Sequence, residues 1–208
     1  MHFEVVRPEE IEKRSFEIIS QELTGMGITL DEETAMVTKR CIHTSADFDY
    51  ASTLCFSDGA VGRMQELIRG GACIVTDTNM ALSGINKKKL AQFGGEAFCY
   101  MADEEVAAEA KRRSVTRAVV SMEKASRLDR EIIFAIGNAP TALIRLYEMM
   151  EEKSFVPAFV IGVPVGFVNV VWAKELFIGS EVPYIINRGR KGGSNIAAAI
   201  CNAVLYSM

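Results

Sequence analysis

The stretch Glu131-Ile-Ile-Phe-Ala-Ile-Gly-Asn-Ala-Pro-Thr141 places a short apolar run directly before a turn and the start of a helix. Continuous apolar runs rich in isoleucine are typical of strands that are buried on both faces. Pro140 suits the first turn of a helix, and Asn138 or Thr141 is placed to cap that helix. The stretch therefore predicts a strand, a fixed loop and a helix in direct succession.

Similar units recur along the chain. The other strand-like runs span residues 72–76, 97–101, 157–161 and 182–186. The helical patterns span residues 8–25, 59–69, 104–113, 141–153, 168–177 and 194–206, and one more begins after residue 33 and runs toward residue 43. Strands without polar alternation that are separated by helices indicate a mostly parallel sheet covered on both faces. We therefore predict an α/β three-layer sandwich, folded as a single domain over residues 1–208.

Composition and charge restrict the class of protein. The chain has 208 residues, of which 49% are hydrophobic and 24% are charged, as in ordinary globular proteins. Its formal net charge of −4 argues against broad binding of nucleic acid, which depends on a positive surface. No apolar run approaches the roughly 20 residues of a membrane span, and the N-terminus lacks a signal-peptide pattern. We expect neither a nucleic-acid partner nor association with a membrane.

Several kinds of chemistry have no matching motif. The five cysteines are scattered without a Cys-x-x-Cys pair, so we expect no metal site, and free thiols in apolar runs fit a reducing cytoplasm. Neither a Gly-x-Ser-x-Gly elbow nor a Gly-x-Gly-x-x-Gly loop after a strand is present, so a hydrolase triad and an NAD site are unsupported.

Polar or glycine-rich loops follow four of the predicted strands. These loops span residues 77–80, 137–141, 162–167 and 187–194. Ligands of open α/β sheets bind outside the carboxyl ends of the strands. The four loops therefore predict a single binding rim.

The loop Gly189-Arg-Lys-Gly-Gly-Ser194 has two interpretations. Its glycines and the following helix N-terminus would offer backbone N–H groups to an anion, with positive charge from Arg188, Arg190 and Lys191. The alternative is a tight turn in which Ser194 caps the helix and the basic side chains are solvated. The sequence leaves both interpretations open.

His43 is one of only two histidines, the other being His2. Histidine exchanges protons near neutral pH, although a lone histidine is often only a packed or surface residue. With one internal histidine and no metal set, the simplest chemistry is a single proton transfer to an anionic, partly apolar ligand. Asp47 would orient His43 if the helix continued for a full turn beyond it.

Together these motifs resemble the precorrin-8X methylmutase family of cobalamin biosynthesis, whose members are also called cobalt-precorrin-8 methylmutases. The matching segments occur in the family's order and are Arg14-Ser-Phe16, His43-Thr-Ser-Ala-Asp-Phe48, Thr76-Asp-Thr-Asn-Met80, Thr116-Arg117, Gly137-Asn-Ala-Pro-Thr141, Pro164-Val-Gly-Phe-Val168 and Gly189-Arg-Lys-Gly-Gly-Ser194. The chain departs from the family at Val171-Trp-Ala173, before Lys174-Glu175, where an acidic residue and a serine are expected.

The resemblance implies an isomerase that moves a methyl group from C11 to C12 of a corrinoid ring in a 1,5-sigmatropic shift. The product would be hydrogenobyrinate, or cobyrinate if the tetrapyrrole substrate carries cobalt. It also implies a Rossmann-like fold, a homodimer with active sites near the interface, and no separate cofactor. The alternatives are a non-catalytic corrinoid-binding carrier and an enzyme that binds a phosphometabolite with the glycine-rich loop.

The resemblance also assigns roles to individual residues. His43 matches the family's catalytic histidine and would donate a proton to a ring nitrogen beside the migrating methyl group. Thr78 and Met80 would line the pocket. The residues that would contact the acetate and propionate groups of the ring are Arg14, Ser15, Arg117, Gly192, Gly193 and Ser194.

Overall fold

A computed structural model describes residues 6–208, so His2 lies outside the described residues. Its strands are β1 (Leu54–Phe56), β2 (Cys73–Thr76), β3 (Ala97–Phe98), β4 (Ile132–Ile136), β5 (Phe159–Gly162) and β6 (Tyr184–Asn187). They form one sheet in the order β1-β6-β5-β4-β2-β3. Neighbouring strands are parallel except for β1 and β6, which are antiparallel. The prediction of a mostly parallel sheet is confirmed.

Helices connect and cover these strands. After a short 3-10 turn at Pro8–Glu10, they are α1 (Ile11–Gly25), α2 (Ala35–Ser45), α3 (Tyr50–Thr53), α4 (Ala60–Arg69), α5 (Asn79–Gly84), α6 (Lys87–Ala91), α7 (Glu104–Arg113), α8 (Arg117–Ala125), α9 (Pro140–Glu151), α10 (Val170–Glu175) and α11 (Ser194–Tyr206). Within residues 6–208, no helix has the length and apolar character that would let it cross a membrane.

The sheet lies between two hydrophobic layers, because successive strand residues point to opposite faces. In β4, Ile133 and Ala135 pack with α1, α2, α4, α5 and α11. Ile132, Phe134 and Ile136 of the same strand pack with α8, α9 and α10 on the other face. The three-layer α/β sandwich predicted from the sequence is therefore confirmed.

Three local predictions differ from the structure. The run 97–101 pairs only at Ala97 and Phe98, because β3 is an edge strand with the single neighbour β2. Strand β1 was not predicted, since it has only three residues and pairs with the distant β6. The helix predicted from residue 168 begins at Val170, after Asn169 in a left-handed conformation that asparagine tolerates better than most residues.

The loop that leads into α9 is held by Asp77, which directly follows β2. The predicted caps Asn138 and Thr141 are wrong, because no side chain of the local segment caps this helix. Instead, the buried Asp77 carboxylate accepts hydrogen bonds from the N–H groups of Gly137 at 2.9 Å, Asn138 at 2.8 Å and Ala139 at 2.5 Å. Burial raises the pKa of Asp77, and these three bonds oppose that rise.

Replacing Asp77 with alanine would leave three backbone N–H groups at the carboxyl end of the sheet without their acceptor. We expect Asp77→Ala to lower the free energy of unfolding by about 3 kcal/mol, since unsatisfied buried donors are costly. Denaturant unfolding measures this change. The control Asp58→Ala removes an exposed carboxylate and should change stability by less than about 0.5 kcal/mol. A loss below about 1 kcal/mol for Asp77→Ala would contradict its role as the anchor of this loop.

Candidate active site

The loops at the carboxyl ends of the strands meet, as the sequence predicts. The Gly193 N–H donates to the Val163 carbonyl at 2.9 Å, which joins the loops after β6 and β5. The Thr78 hydroxyl lies 2.7 Å from the Ser194 hydroxyl, which joins the loop after β2 to the start of α11. Asp77 joins the loops after β2 and β4. The four loops thus form one rim.

Gly192 occupies a position that only glycine fits. Its φ is +155°, and a Cβ atom there would lie 2.0 Å from the Val163 carbonyl oxygen. Gly193 has a φ of +144°, and a Cβ atom there would lie 2.5 Å from Oδ1 of Asn195. The two glycines let the loop before α11 lie directly against the loop after β5.

Ser194 begins α11 but does not cap it. Gly193 holds the cap position, and no side chain there bonds to the first turn. The Ser194 hydroxyl instead contacts Thr78, which accepts the Ala81 N–H at 3.1 Å and caps α5. The interpretation of this loop as a turn capped by Ser194 is wrong, because the hydroxyl faces the neighbouring loop.

A buried lysine lies under the glycine-rich loop. The Lys174 ammonium donates to the carbonyls of Gly189 and Lys191, each at 2.8 Å. Burial lowers the pKa of Lys174 to about 8. The Asn187 side chain donates to the same Lys191 carbonyl at 2.9 Å and accepts from the Thr53 hydroxyl at 2.7 Å. Sequence reasoning missed Lys174, because nothing in a short amphipathic helix marks one lysine as buried.

Two of the three basic side chains predicted for an anion site are paired within the protein. Lys191 lies 2.6 Å from the Asp47 carboxylate and 2.5 Å from that of Asp49, and this hydrogen bonding lowers the pKa of Asp47. Arg188 lies 3.4 Å from Glu175. The prediction that these charges are available to a ligand is therefore wrong for both residues.

Exposed apolar groups stand beside the third basic side chain. The Arg190 guanidinium lies over the Phe167 ring, 5.2 Å from its centroid, and that ring is 80% exposed. Val168 and Trp172 are exposed nearby in sequence, and Met80 is 71% exposed after β2. The rim therefore combines backbone donors with apolar surface.

His43 lies in the last turn of α2, exposed at a cleft of about 410 Å³. Its ring stacks on Phe16 of α1, with the ring centroids 5.4 Å apart and the planes inclined by 28°. Met80 and Asn195 line the same cleft. Among residues 6–208, no side chain is hydrogen-bonded to the imidazole, which lines the cleft.

Asp47 does not orient His43. Helix α2 ends at Ser45, and Ala46 turns the chain through a left-handed conformation with a φ of 54°. The Asp47 carboxylate is then bound by Lys191 rather than by the imidazole. The hypothesis fails because the helix ends before it reaches the required turn.

Arg40 is a residue of the cleft that sequence reasoning did not assign. Its guanidinium lies between the rings of Phe16 and Tyr206, 4.8 and 5.5 Å from their centroids, and forms an ion pair with Glu12. Its Nε is buried and has no hydrogen-bond partner within the described chain. The available signal was its spacing of three residues from His43, which places both on one face of α2.

The predicted carboxylate contacts on α1 and α8 stand outside the cleft. Arg14 is paired with Glu17 at 3.4 Å, and the Ser15 hydroxyl donates to the Ile11 carbonyl at 2.9 Å. Arg117 is exposed as the first residue of α8. Apart from His43, the predicted site residue that lines this cleft is Met80. The lining does not include the other predicted residues, which are Arg14, Ser15, Thr78, Arg117, Gly192, Gly193 and Ser194.

Potential metal ligands and thiols are dispersed through the described part of the chain. No three His, Cys, Asp or Glu side chains within residues 6–208 cluster as metal ligands do. Cys41, Cys73 and Cys201 are buried free thiols, and burial raises the pKa of Cys41 and Cys201 to about 12. These two thiols therefore stay protonated at neutral pH.

The fold and the rim place this chain among α/β proteins whose ligand site lies at the carboxyl end of a sheet. The precorrin-8X methylmutase family model matches residues 10–207. The chain therefore belongs to the precorrin-8X methylmutase family, and it is an isomerase.

Individual relatives agree with this assignment. The chain is 42% identical to cobalt-precorrin-8 methylmutase from Priestia megaterium, over 96% of this chain and 88% of the relative. It is also 42% identical to the Salmonella typhimurium protein of that name, over 100% of this chain and 99% of the relative. A crystal structure of precorrin-8X methylmutase from Thermus thermophilus superimposes with a TM-score of 0.84 at 37% identity, covering 95% of this chain and 96% of that one.

Two alanine variants separate the steric clash of a Cβ atom at Gly192 from the conformational cost of a positive φ. We expect Gly192→Ala to lower the free energy of unfolding by about 3 kcal/mol, because the added methyl group would collide with backbone atoms. Gly189→Ala is the matched control: its φ is also positive, +75°, but nothing lies within 4 Å of the new Cβ, so about 1 kcal/mol is expected. Denaturant unfolding compares the two variants, and equal losses would refute the steric explanation.

Proposed function

We propose that this isomerase converts precorrin-8X or cobalt-precorrin-8 to hydrogenobyrinate or cobyrinate by moving one methyl group from C11 to C12. The observation that carries the proposal is the exposed imidazole of His43, which faces the cleft in a chain of the methylmutase family. The names of the relatives support a corrinoid substrate for this chain.

His43 is the proposed proton donor. Its imidazole gives a proton or a strong hydrogen bond to a ring nitrogen beside C11, which withdraws electrons from the conjugated system and favours the 1,5-shift. The proton returns to His43 as the product forms, so substrate and product are isomers. A positioned general acid contributes roughly 100- to 10,000-fold. The Phe16 ring, stacked on the imidazole, fixes its plane.

The carboxylate fringe of the substrate would be held around the rim. Gly192 and Ser194 offer backbone N–H groups at the start of α11, where the helix dipole favours an anion. Gly193 lies between them and holds the loop in place through its own bond to the Val163 carbonyl. Arg117 begins α8, whose preceding Thr116 hydroxyl lies 2.9 Å from the Thr141 hydroxyl of α9. Arg14 and Ser15 adjoin Phe16, which contacts His43. Arg14, Ser15 and Arg117 lie outside the His43 cleft, so the carboxylates that we propose for them are those farther out on the ring.

Apolar rim residues would cover the flat macrocycle. Met80 lines the His43 cleft, Thr78 precedes it, and Phe167 is largely exposed. So much exposed apolar surface is typical of a site that a ligand or partner covers. We propose a homodimer in which a second copy of the chain closes the site, a single domain over residues 1–208, and a cytoplasmic location in keeping with the free cysteines.

Turnover separates this proposal from a corrinoid carrier that has lost catalysis. Purified protein is incubated with precorrin-8X and, in parallel, with cobalt-precorrin-8, while the absorbance is followed. We expect conversion of at least one substrate to the chromophore of its product, and the faster reaction identifies the natural form. A spectrum that shifts in proportion to bound protein and then stays constant for both substrates would support the carrier and refute the isomerase.

Removing the imidazole should abolish turnover but not binding. We expect His43→Ala to lower kcat about 100- to 10,000-fold, the contribution of a general acid, while the dissociation constant of hydrogenobyrinate changes little. The control Thr44→Ala alters an exposed neighbour that lines the same cleft and should keep its turnover. Near-wild-type kcat in His43→Ala would exclude His43 as the proton donor.

A further inference from the structure

The Lys174 ammonium is buried without a carboxylate partner. No described acidic side chain pairs with it, and its bonds go to the carbonyl oxygens of Gly189 and Lys191. A buried charge is costly unless hydrogen bonds replace its hydration. The two carbonyls are therefore held firmly toward Lys174.

The direction of these two carbonyls also fixes the direction of the N–H group in each of the same peptide units. No described peptide bond is cis, and in a planar trans peptide the C=O and N–H bonds point in opposite directions. Because the Gly189 and Lys191 carbonyls point at Lys174, the N–H groups of Arg190 and Gly192 point away from it. Within residues 6–208, no acceptor receives a hydrogen bond from either of these two N–H groups.

We propose that Lys174 is a positioning residue that turns the Arg190 and Gly192 amides outward to bind one peripheral carboxylate of the tetrapyrrole. The inference rests on the proposed function, because it takes the ligand from it. Three features favour this role: two outward N–H donors lack an acceptor, α11 begins two residues after Gly192, and the ammonium behind the loop adds positive potential. Asn187 reinforces the arrangement through its own bond to the Lys191 carbonyl.

The test compares two ligands on two proteins. Lys174→Met keeps the length of the side chain and removes its charge and donors. Hydrogenobyrinate and its fully amidated derivative, in which carboxamides replace the carboxylates, are titrated by absorbance against wild type and variant. We expect the variant to bind hydrogenobyrinate about 10-fold more weakly and the amidated ring within about twofold of wild type. KM should rise for the substrate while kcat is kept.

A purely structural role predicts a different pattern. Equal weakening of both ligands in Lys174→Met, or no weakening of either, would overturn the inference. Lys111→Met, an exposed lysine of α7, is the control and should bind both ligands as wild type does. If wild type itself neither binds hydrogenobyrinate nor turns over substrate, the proposed function has failed rather than the role of Lys174.

A second measurement does not depend on folding of the variant. In ¹⁵N-labelled wild-type protein, hydrogenobyrinate should shift the amide protons of Arg190 and Gly192 downfield and slow their exchange with solvent. The Gly193 amide already donates to Val163 and serves as the internal reference. Unchanged Arg190 and Gly192 amides in the saturated complex would exclude them as carboxylate donors and overturn the inference.

Discussion

Two buried charges of opposite sign fix the loops at the carboxyl end of the sheet, and the backbone alone satisfies both. Asp77 accepts three N–H groups from residues 137–139, and Lys174 donates to the carbonyls of Gly189 and Lys191. Irregular backbone near a core must find hydrogen-bond partners, and a charged partner makes stronger bonds than a neutral one. Because these backbone groups point inward to the two charges, the path of each loop over the end of the sheet is fixed. The shape of the rim follows from this constraint.

The site combines this backbone framework with a few side chains from α1, α2 and the glycine-rich loop. His43 stands on α2, braced by Phe16 and bonded to no described side chain, so the hydrogen bond that it makes is left for a ligand. Arg40 also packs over the Phe16 ring and borders the same cleft. Lys191 ties the segment after α2 to the glycine-rich loop through Asp47 and Asp49. The end of α2, which carries His43, and the glycine-rich loop are thereby held together.

Much of this arrangement was predictable. The apolar run at 131–136 identified β4, and similar runs along the chain identified a parallel sheet. Strands that are buried on both faces consist of nearly continuous apolar residues, which the local sequence shows directly. The convergence of four loops followed from that topology. The anchor of the loop before α9 was not predictable, because its acceptor, Asp77, lies about 60 residues away in sequence. The pairing of Lys191 spans 144 and 142 residues to its two partners, and no local pattern reports such contacts.

The sequence by itself determined the elements, their layering, the rim and the residue types available there. Periodicity and turn chemistry are local, so a short stretch of chain is enough to specify them. The tertiary structure alone decided which charges are free, which are paired and which are buried: Lys174 lies in the core, Lys191 lies on two aspartates, and His43 faces an open cleft. The physical reason is that hydration and pairing of a charge depend on groups brought together from distant parts of the chain.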